Sequence, residues 1–205
     1  MFTGIVTAIG LIERVERRGD LRVDIACPWN PDEIAIGASV SCSGVCLTVV
    51  EKSGTAGAAH LAFDVSAETE ARTVEAMWTE GRRLNLEPAL RLGDELGGHL
   101  VTGHIDAVGT VATRDDKGGS IRFAIHAPAA IAPFIAAKGS VTVDGVSLTV
   151  NAISDEPDGE VSFALNIIPH TAEVTTLGTL GAGDQVNLEI DILARYLQRM
   201  QSLRG

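Results

Sequence analysis

The chain is written twice. Thr3-Gly4 returns as Thr102-Gly103, 99 positions later. The eleven residues from Ser39 to Val49 return as Ser140 to Val150, 101 positions later, and seven of the eleven are identical. Asn85-Leu86-Glu87 returns as Asn187-Leu188-Glu189, 102 positions later. Three blocks in one order, with a spacing that drifts by three residues, define a duplicated domain. Two copies are too few for a solenoid, which needs about three repeats or more. Halving 205 residues gives units of ordinary domain size.

Each copy reads as β. Leu21, Val23 and Ile25 alternate with polar neighbours, as do Ile121, Phe123 and Ile125, the period of half-buried strands. Asp144-Gly145 between apolar β-branched runs predicts a two-residue hairpin, because both residues tolerate positive φ; Ser43-Gly44 is a weaker form of the same signal. Short strands broken by Gly-rich turns imply an all-β barrel or sandwich. Short helices are expected over Glu68–Trp78 and Ala129–Ala137. The joint between copies falls at Pro88 to Gly98, which divides the chain into units 1–97, 98–191 and 192–205. In the last unit Leu193, Tyr196, Leu197, Met200 and Leu203 form one apolar stripe on a helix of about three turns. A helix so short is marginal alone and must dock, either on its own barrel or on a symmetry-related copy.

Sixteen basic and 27 acidic residues give a net charge of −11, which argues against a nucleic-acid footprint. A 45% hydrophobic share suits a folded core and argues against disorder. No apolar run reaches the roughly 18 residues of a membrane span, and the chain does not open with a secretory signal pattern. Cys27, Cys42 and Cys46 are too few for a disulfide scaffold, so a reducing cytoplasm is the expected compartment. The five histidines show no zinc-type spacing with them. P-loop, G-x-G-x-x-G and G-x-S-x-G signatures are absent.

Four segments carry a resemblance. Met1-Phe2-Thr3-Gly4-Ile5-Val6, Gly97-Gly98-His99-Leu100-Val101-Thr102-Gly103-His104, Asp144-Gly145-Val146-Ser147-Leu148-Thr149-Val150 and Val186-Asn187-Leu188-Glu189-Ile190-Asp191 closely resemble the riboflavin synthase family, over Met1 to about Asp191. The resemblance implies two similar closed six-stranded Greek-key barrels and a C-terminal helix that drives trimerisation. It implies dismutation of two molecules of 6,7-dimethyl-8-ribityllumazine, one donating a four-carbon unit to the other, with no metal or redox cofactor. Products are riboflavin and 5-amino-6-(ribitylamino)uracil. Association with lumazine synthase is a partnership it leaves open. By the same resemblance the first pocket takes Gly4, Ile5, Val6, Ser39, Cys46, Leu47, Thr48, Asp64, Val65, Ser66, Ala67, Glu68 and Thr69. The second takes Gly103, His104, Ile105, Lys138, Ser147, Leu148, Thr149, Ile168, Pro169, His170, Thr171, Ala172 and Glu173. Some members carry Glu where this chain has His170.

Two identical substrates in different roles call for two related pockets, and differences between the copies point to the division of labour. His104 stands opposite Ile5, Lys138 opposite Gly37, Asp144 opposite Ser43, Ser147 opposite Cys46, and Asp191 opposite Ala89. The second copy is therefore expected to supply more of the polar chemistry. His104 is the leading candidate for proton transfer or orientation, since an imidazole titrates near neutral pH; His99 reads as scaffold. A position that takes Cys46 in one copy and Ser147 in the other suits a polar contact, or help in adding a hydroxyl, better than a covalent thioether. Ser147 and Thr149 share one strand face and can hydrogen-bond a pteridine edge. Asp191 combines the polar role implied by the resemblance with a helix N-cap. The rival function is a non-catalytic lumazine or flavin antenna of the same fold, which should lose the motif in its second copy; here that motif is intact.

Overall fold

The computed structural model describes residues 1–157 and 159–203. The first copy contributes β1 (Ala8–Arg18), β2 (Asp20–Cys27), β3 (Ser39–Cys42), β4 (Val45–Thr55), β5 (Ala58–Val65), the helix α1 (Ala67–Arg72) and β6 (Arg83–Pro88). The second contributes β7 (Ala107–Lys117), β8 (Ser120–Ala127), β9 (Ser140–Val143), β10 (Val146–Thr149), β11 (Ala152–Asp155), β12 (Val161–Ile167), α2 (Pro169–Val174) and β13 (Gln185–Ile190), followed by α3 (Ile192–Ser202).

In the first copy the strands close into a barrel in the order β1-β2-β5-β4-β3-β6. The second copy has the order β10-β9-β13-β7-β8-β12-β11. That is the same circuit with the counterpart of β4 divided into β10 and β11, so the expected six-stranded closed ring appears as a seven-stranded sheet whose two edges are consecutive in the chain. The division falls at Val150-Asn151, where Val150 N–H turns to the Gly139 carbonyl (3.0 Å) and Asn151 N–H to the Ala164 carbonyl (2.8 Å). β4 shifts register at the matching place, between Val49 and Glu51. A bulge of this kind bends a strand around a barrel corner; the second copy carries it to a full interruption.

Alternation places Ile12, Val23, Ile25, Leu61, Phe63 and Leu86 in one core, and Ile125, Phe123, Phe163, Leu165 and Leu188 in another. Both predicted hairpins form, with φ of 45° at Ser43 and at Asp144 and 85° and 80° at the glycines that follow, as a type I′ turn requires. The helix expected over Glu68–Trp78 stops at Arg72, because Thr73 turns extended (φ −117°, ψ 170°), and resumes as one tight turn at Glu75–Met77. Ala129–Ala137 yields only the tight turn Ala132–Phe134; Pro133 falls inside the expected span and lacks the N–H that a helix begun at Ala129 would bond to the Ala129 carbonyl.

The two barrels meet along a seam with approximate two-fold symmetry. Asn85 donates through Nδ2 to the Asp144 carbonyl (2.9 Å) and accepts through Oδ1 from Thr176 N–H (2.7 Å). Asn187 donates to the Ser43 carbonyl (3.0 Å) and accepts from Val74 N–H (2.8 Å). The identity of Asn85 and Asn187 between the copies is explained by this reciprocal stitching.

α3 begins where expected, with Asp191 Oδ1 accepting from Leu193 N–H at 2.9 Å as the N-cap. It is tied to the second barrel by Arg195 on Asp106 (2.9 Å). The stripe does not dock on its own barrel: Leu193, Tyr196, Leu197, Met200 and Leu203 are all more than half exposed. Arg204 and Gly205, the end of the expected helical unit, lie outside the described residues. No helix among the described residues is long and apolar enough to cross a membrane.

Candidate active site

The site is built on the two matched hairpins. In β4 the side chains of Val45, Leu47 and Val49 are buried while Cys46 is half-buried and Thr48 exposed. In β10 Val146 is buried, Ser147 half-buried and Thr149 exposed. Period-2 alternation thus turns Cys46 and Thr48, and likewise Ser147 and Thr149, to the outer face of their barrels.

Each hairpin is covered by a turn from the other copy. Cys46 N–H donates to the Gly103 carbonyl at 2.8 Å, and Ser147 N–H to the Gly4 carbonyl at 2.8 Å. The approach is close enough to demand glycine: a Cβ on Gly103 would fall 2.6 Å from Cys46 Cβ, and one on Gly4 2.6 Å from Ser147 Cβ. Both residues also have positive φ, 80° at Gly103 and 76° at Gly4. Ile105 packs on the first core and Val6 on the second.

This exchange differs from the expected grouping. Gly103 and Ile105 belong with Cys46 and Thr48, and His104 between them is carried to that side; Gly4 and Val6 belong with Ser147 and Thr149. The expectation that the second copy holds most of the polar chemistry changes with it. His104 goes to the first hairpin. Asp144 goes to the seam, where it is buried and accepts from Asn187 N–H at 2.8 Å. Desolvation pushes its carboxyl up to about 7, against the hydrogen bond from Asn187 and the charge of Arg82.

The remaining residues of the first group lie along β5 and α1. Asp64 is held by Arg22 at 3.3 Å, Val65 is buried, and Ser66 N-caps α1 by accepting from Thr69 N–H at 3.2 Å. Ala67 and Glu68 form the exposed first turn. Ile168 to Glu173 occupy the matching place, with Ile168 capping α2, Ile168, Pro169, His170 and Glu173 exposed, and Thr171 and Ala172 half-buried. Lys138 is exposed, with φ of 66° where the first copy has Gly37 at 86°. Leu148 packs against the second core.

Ser39 and Ile5 line a cleft of about 800 Å³ at the end of the first barrel, with Trp29, Ile34 and Leu90. A second opening of about 560 Å³ lies between the barrels, lined by Ala67, Thr73, Val74, Val108 and Gln185. Cys46 and Ser147 line neither. Their side chains are half-buried on the outer faces, beside the turns that come from the opposite copy.

His99, read from the sequence as scaffold, contacts the site directly. Its Nδ1 lies 2.7 Å from Ser147 Oγ and its Nε2 3.2 Å from Thr142 Oγ1. Burial lowers its pKa, against the charge of Asp191, so the ring is held neutral. Only its place in the Gly97–His104 segment beside Ser147's hairpin motif hinted at this. Cys27 and Cys42 are buried, and desolvation raises both thiols; Cys46 is the half-buried one.

A duplicated β-barrel whose matched hairpins each carry a polar pair is a protein of two related, non-identical surfaces. The lumazine-binding domain model matches residues 3–89 and 102–191. The chain is 47% identical to the riboflavin synthase of Brucella abortus (strain 2308), over 98% of each chain. It is 39% identical to that of Mycobacterium tuberculosis (strain ATCC 25618 / H37Rv), over 100% of each. Among solved structures it resembles LumP complexed with riboflavin (TM-score 0.79, 27% identity, 93% of this chain and 99% of the other) and with 6,7-dimethyl-8-(1'-D-ribityl) lumazine (0.76, 25%, the same coverage). The chain belongs to the riboflavin synthase family of lumazine-binding proteins.

Proposed function

We infer that the protein acts as a riboflavin synthase: two 6,7-dimethyl-8-ribityllumazines react, one gives up four carbons, and riboflavin and 5-amino-6-(ribitylamino)uracil leave. The observation that carries the reading is the pair of intact hairpins, Cys46-Thr48 and Ser147-Thr149, each roofed by a glycine turn from the opposite copy. A binder that holds one ring needs one such surface; a dismutase needs two that differ.

The difference is chemical. At the first surface the Cys46 thiol and Thr48 hydroxyl meet the ring edge, and His104 takes a proton from the substrate methyl group. At the second, Ser147 and Thr149 hydrogen-bond the partner ring. Neutral His99 fixes the Ser147 hydroxyl, which then orients the nucleophile that adds to that ring. Asp64 to Thr69 and Ile168 to Glu173, with Lys138, hold the polar substituents. Bringing two rings into register contributes up to roughly 7–11 kcal/mol to the barrier reduction.

The hairpins lie on the outer faces of their barrels, so a second surface is needed above each ring, and the exposed stripe of α3 supports assembly of three chains that supplies it. Three free thiols are consistent with a cytoplasmic protein. The division 1–97, 98–191 and 192–205 is the working domain map, with an enzyme that forms the lumazine as the partner to test.

Purified protein incubated with 6,7-dimethyl-8-ribityllumazine, without added metal or cofactor, should form one riboflavin per two substrates consumed. Tight binding without flavin formation would support an antenna protein instead.

A further inference from the structure

We infer that Glu87 and Glu189 are positioning residues that act across the molecule, each carboxylate setting the turn that roofs the other barrel's hairpin. The inference rests on the two-hairpin reading of the site and assigns a role to two buried groups outside it.

Glu189 belongs to the second barrel and is 1% exposed. It accepts from Thr102 N–H (2.7 Å), Thr102 Oγ1 (2.5 Å) and Gly103 N–H (2.9 Å). Gly103 then presents its carbonyl to Cys46 N–H of the first barrel. Glu87 belongs to the first barrel and is 5% exposed. It accepts from Thr3 N–H (2.7 Å), Thr3 Oγ1 (2.7 Å) and Gly4 N–H (2.9 Å). Gly4 presents its carbonyl to Ser147 N–H of the second barrel.

Each turn is therefore clamped on one side by a carboxylate and on the other by the strand that carries the reactive side chain. All three donors aim at one carboxylate, whose two oxygens only accept when ionised. Burying that charge raises the pKa of both groups, chiefly by desolvation, and the charge-assisted bonds offset part of the cost. An apolar residue would fill the space at less cost but could not grip the turn. Glutamine would turn an N–H₂ toward a donor. The consequence is a crossed linkage: Glu189 governs Cys46 and His104, and Glu87 governs Ser147 and Ile5.

The test uses the full chain and an Ellman-type thiol reagent, with no substrate present. Cys27 and Cys42 are 6% and 0% exposed, so one thiol, Cys46, should react in the wild type, and Cys46→Ala should abolish the signal. Glu189→Gln should raise the Cys46 rate roughly tenfold or more, the factor by which losing a charge-assisted hydrogen bond shifts an opening equilibrium. One thiol should still react. Glu87→Gln, although it lies in Cys46's own barrel, should leave that rate unchanged. Ile125→Val, which loosens the second core without touching the turn, should also leave it unchanged. If Glu189→Gln does not fold, Thr102→Val, which deletes only the hydroxyl bond, should still raise the rate. An unchanged rate in Glu189→Gln, or in Thr102→Val where that variant replaces it, would overturn the inference. So would an equal rise in Glu87→Gln or in Ile125→Val. Failure of the wild type to make riboflavin would refute the functional reading and leave this test standing.

Discussion

Replacing Asn187 with alanine should unstitch the seam. Asn187 and Asn85 are each 1% exposed; Asn187 also donates to Met77 Sδ, a weak acceptor, but its two strong partners, Val74 N–H and the Ser43 carbonyl, lie on residues that are 4% exposed. Alanine removes both partners and leaves a buried donor and a buried acceptor unpaired. Each orphan costs about 1–3 kcal/mol, so the pair costs about 2–6 kcal/mol. The adjoining cavity is only about 10 Å³, at the lower limit for holding a water. The lost carboxamide enlarges it, and one water can then serve one of the two groups, which brings the expected loss to about 1–3 kcal/mol. Urea unfolding followed by tryptophan fluorescence reads this directly, because Trp78 is in the first barrel beside the seam turn and Trp29 is near its open end. Asn85→Ala should cost a similar amount, and the double variant less than the sum, since both amides serve one interface. A loss below about 1 kcal/mol, or strict additivity, would refute the view that the two amides hold the barrels together.

Asp144→Asn should remove a pH dependence. Desolvation pushes the folded carboxyl up to about 7, well above the ordinary range of an aspartate. The folded state thus binds the proton more tightly, and stability falls as pH rises from about 4 through 7. The asparagine variant, which keeps the acceptor and tolerates positive φ, should gain on the wild type between pH 5 and 8 in urea melts; parallel curves would refute it. Lys138→Gly relieves a left-handed backbone worth about 1 kcal/mol. It should leave the unfolding midpoint equal or higher while weakening lumazine binding, read by fluorescence titration. A cut after Asp191 should leave a folded monomer by sedimentation with little turnover; full turnover in a monomer would show that the chains do not complete one another's sites.

Much of this was legible in one chain. The repeat set the two barrels, Asp144-Gly145 and Ser43-Gly44 set the hairpins, and the spacing of Leu193, Tyr196, Leu197, Met200 and Leu203 set α3. The exchange of turns was not legible, because Gly103 meets Cys46 through backbone atoms, and backbone hydrogen bonds leave no mark in residue type. Comparing copies position by position paired His104 with Ile5 and so assigned each to its own barrel. Glycine at both turn positions was the available clue, since a residue needing both positive φ and close approach announces a neighbour. α2 was missed because Pro169-His170-Thr171 lacks an apolar period, and its six residues are too few to show one. The break at Val150-Asn151 follows from barrel curvature, which hydrophobic pattern does not encode.

The exchanged turns give the two surfaces different imidazoles. His104 is exposed beside the Cys46 hairpin, free to meet water or substrate. His99 is buried between Ser147 and Thr142 and kept neutral by desolvation. A neutral imidazole has one N–H and one lone pair, so one hydroxyl donates to it and the other accepts from it. If Nδ1 carries the lone pair, the Ser147 O–H donates its hydrogen bond to His99 and the oxygen presents lone pairs to the ligand. If Nδ1 carries the proton, Ser147 keeps a donor for the ring. Thr142, on the far nitrogen, selects between them, so Thr142→Val should bias the choice. With the far acceptor or donor gone, Nε2 is left in an apolar site, where the unprotonated form costs less than a buried N–H without a partner. The proton then moves to Nδ1, and Ser147 becomes the acceptor of that bond and a donor toward the ring. Histidine nitrogen chemical shifts should report a change of tautomer at His99 with His104 unaffected. Unchanged shifts at His99 would mean that the Nδ1 tautomer is already the resting state, and that Ser147 binds its substrate as a hydrogen-bond donor without help from Thr142.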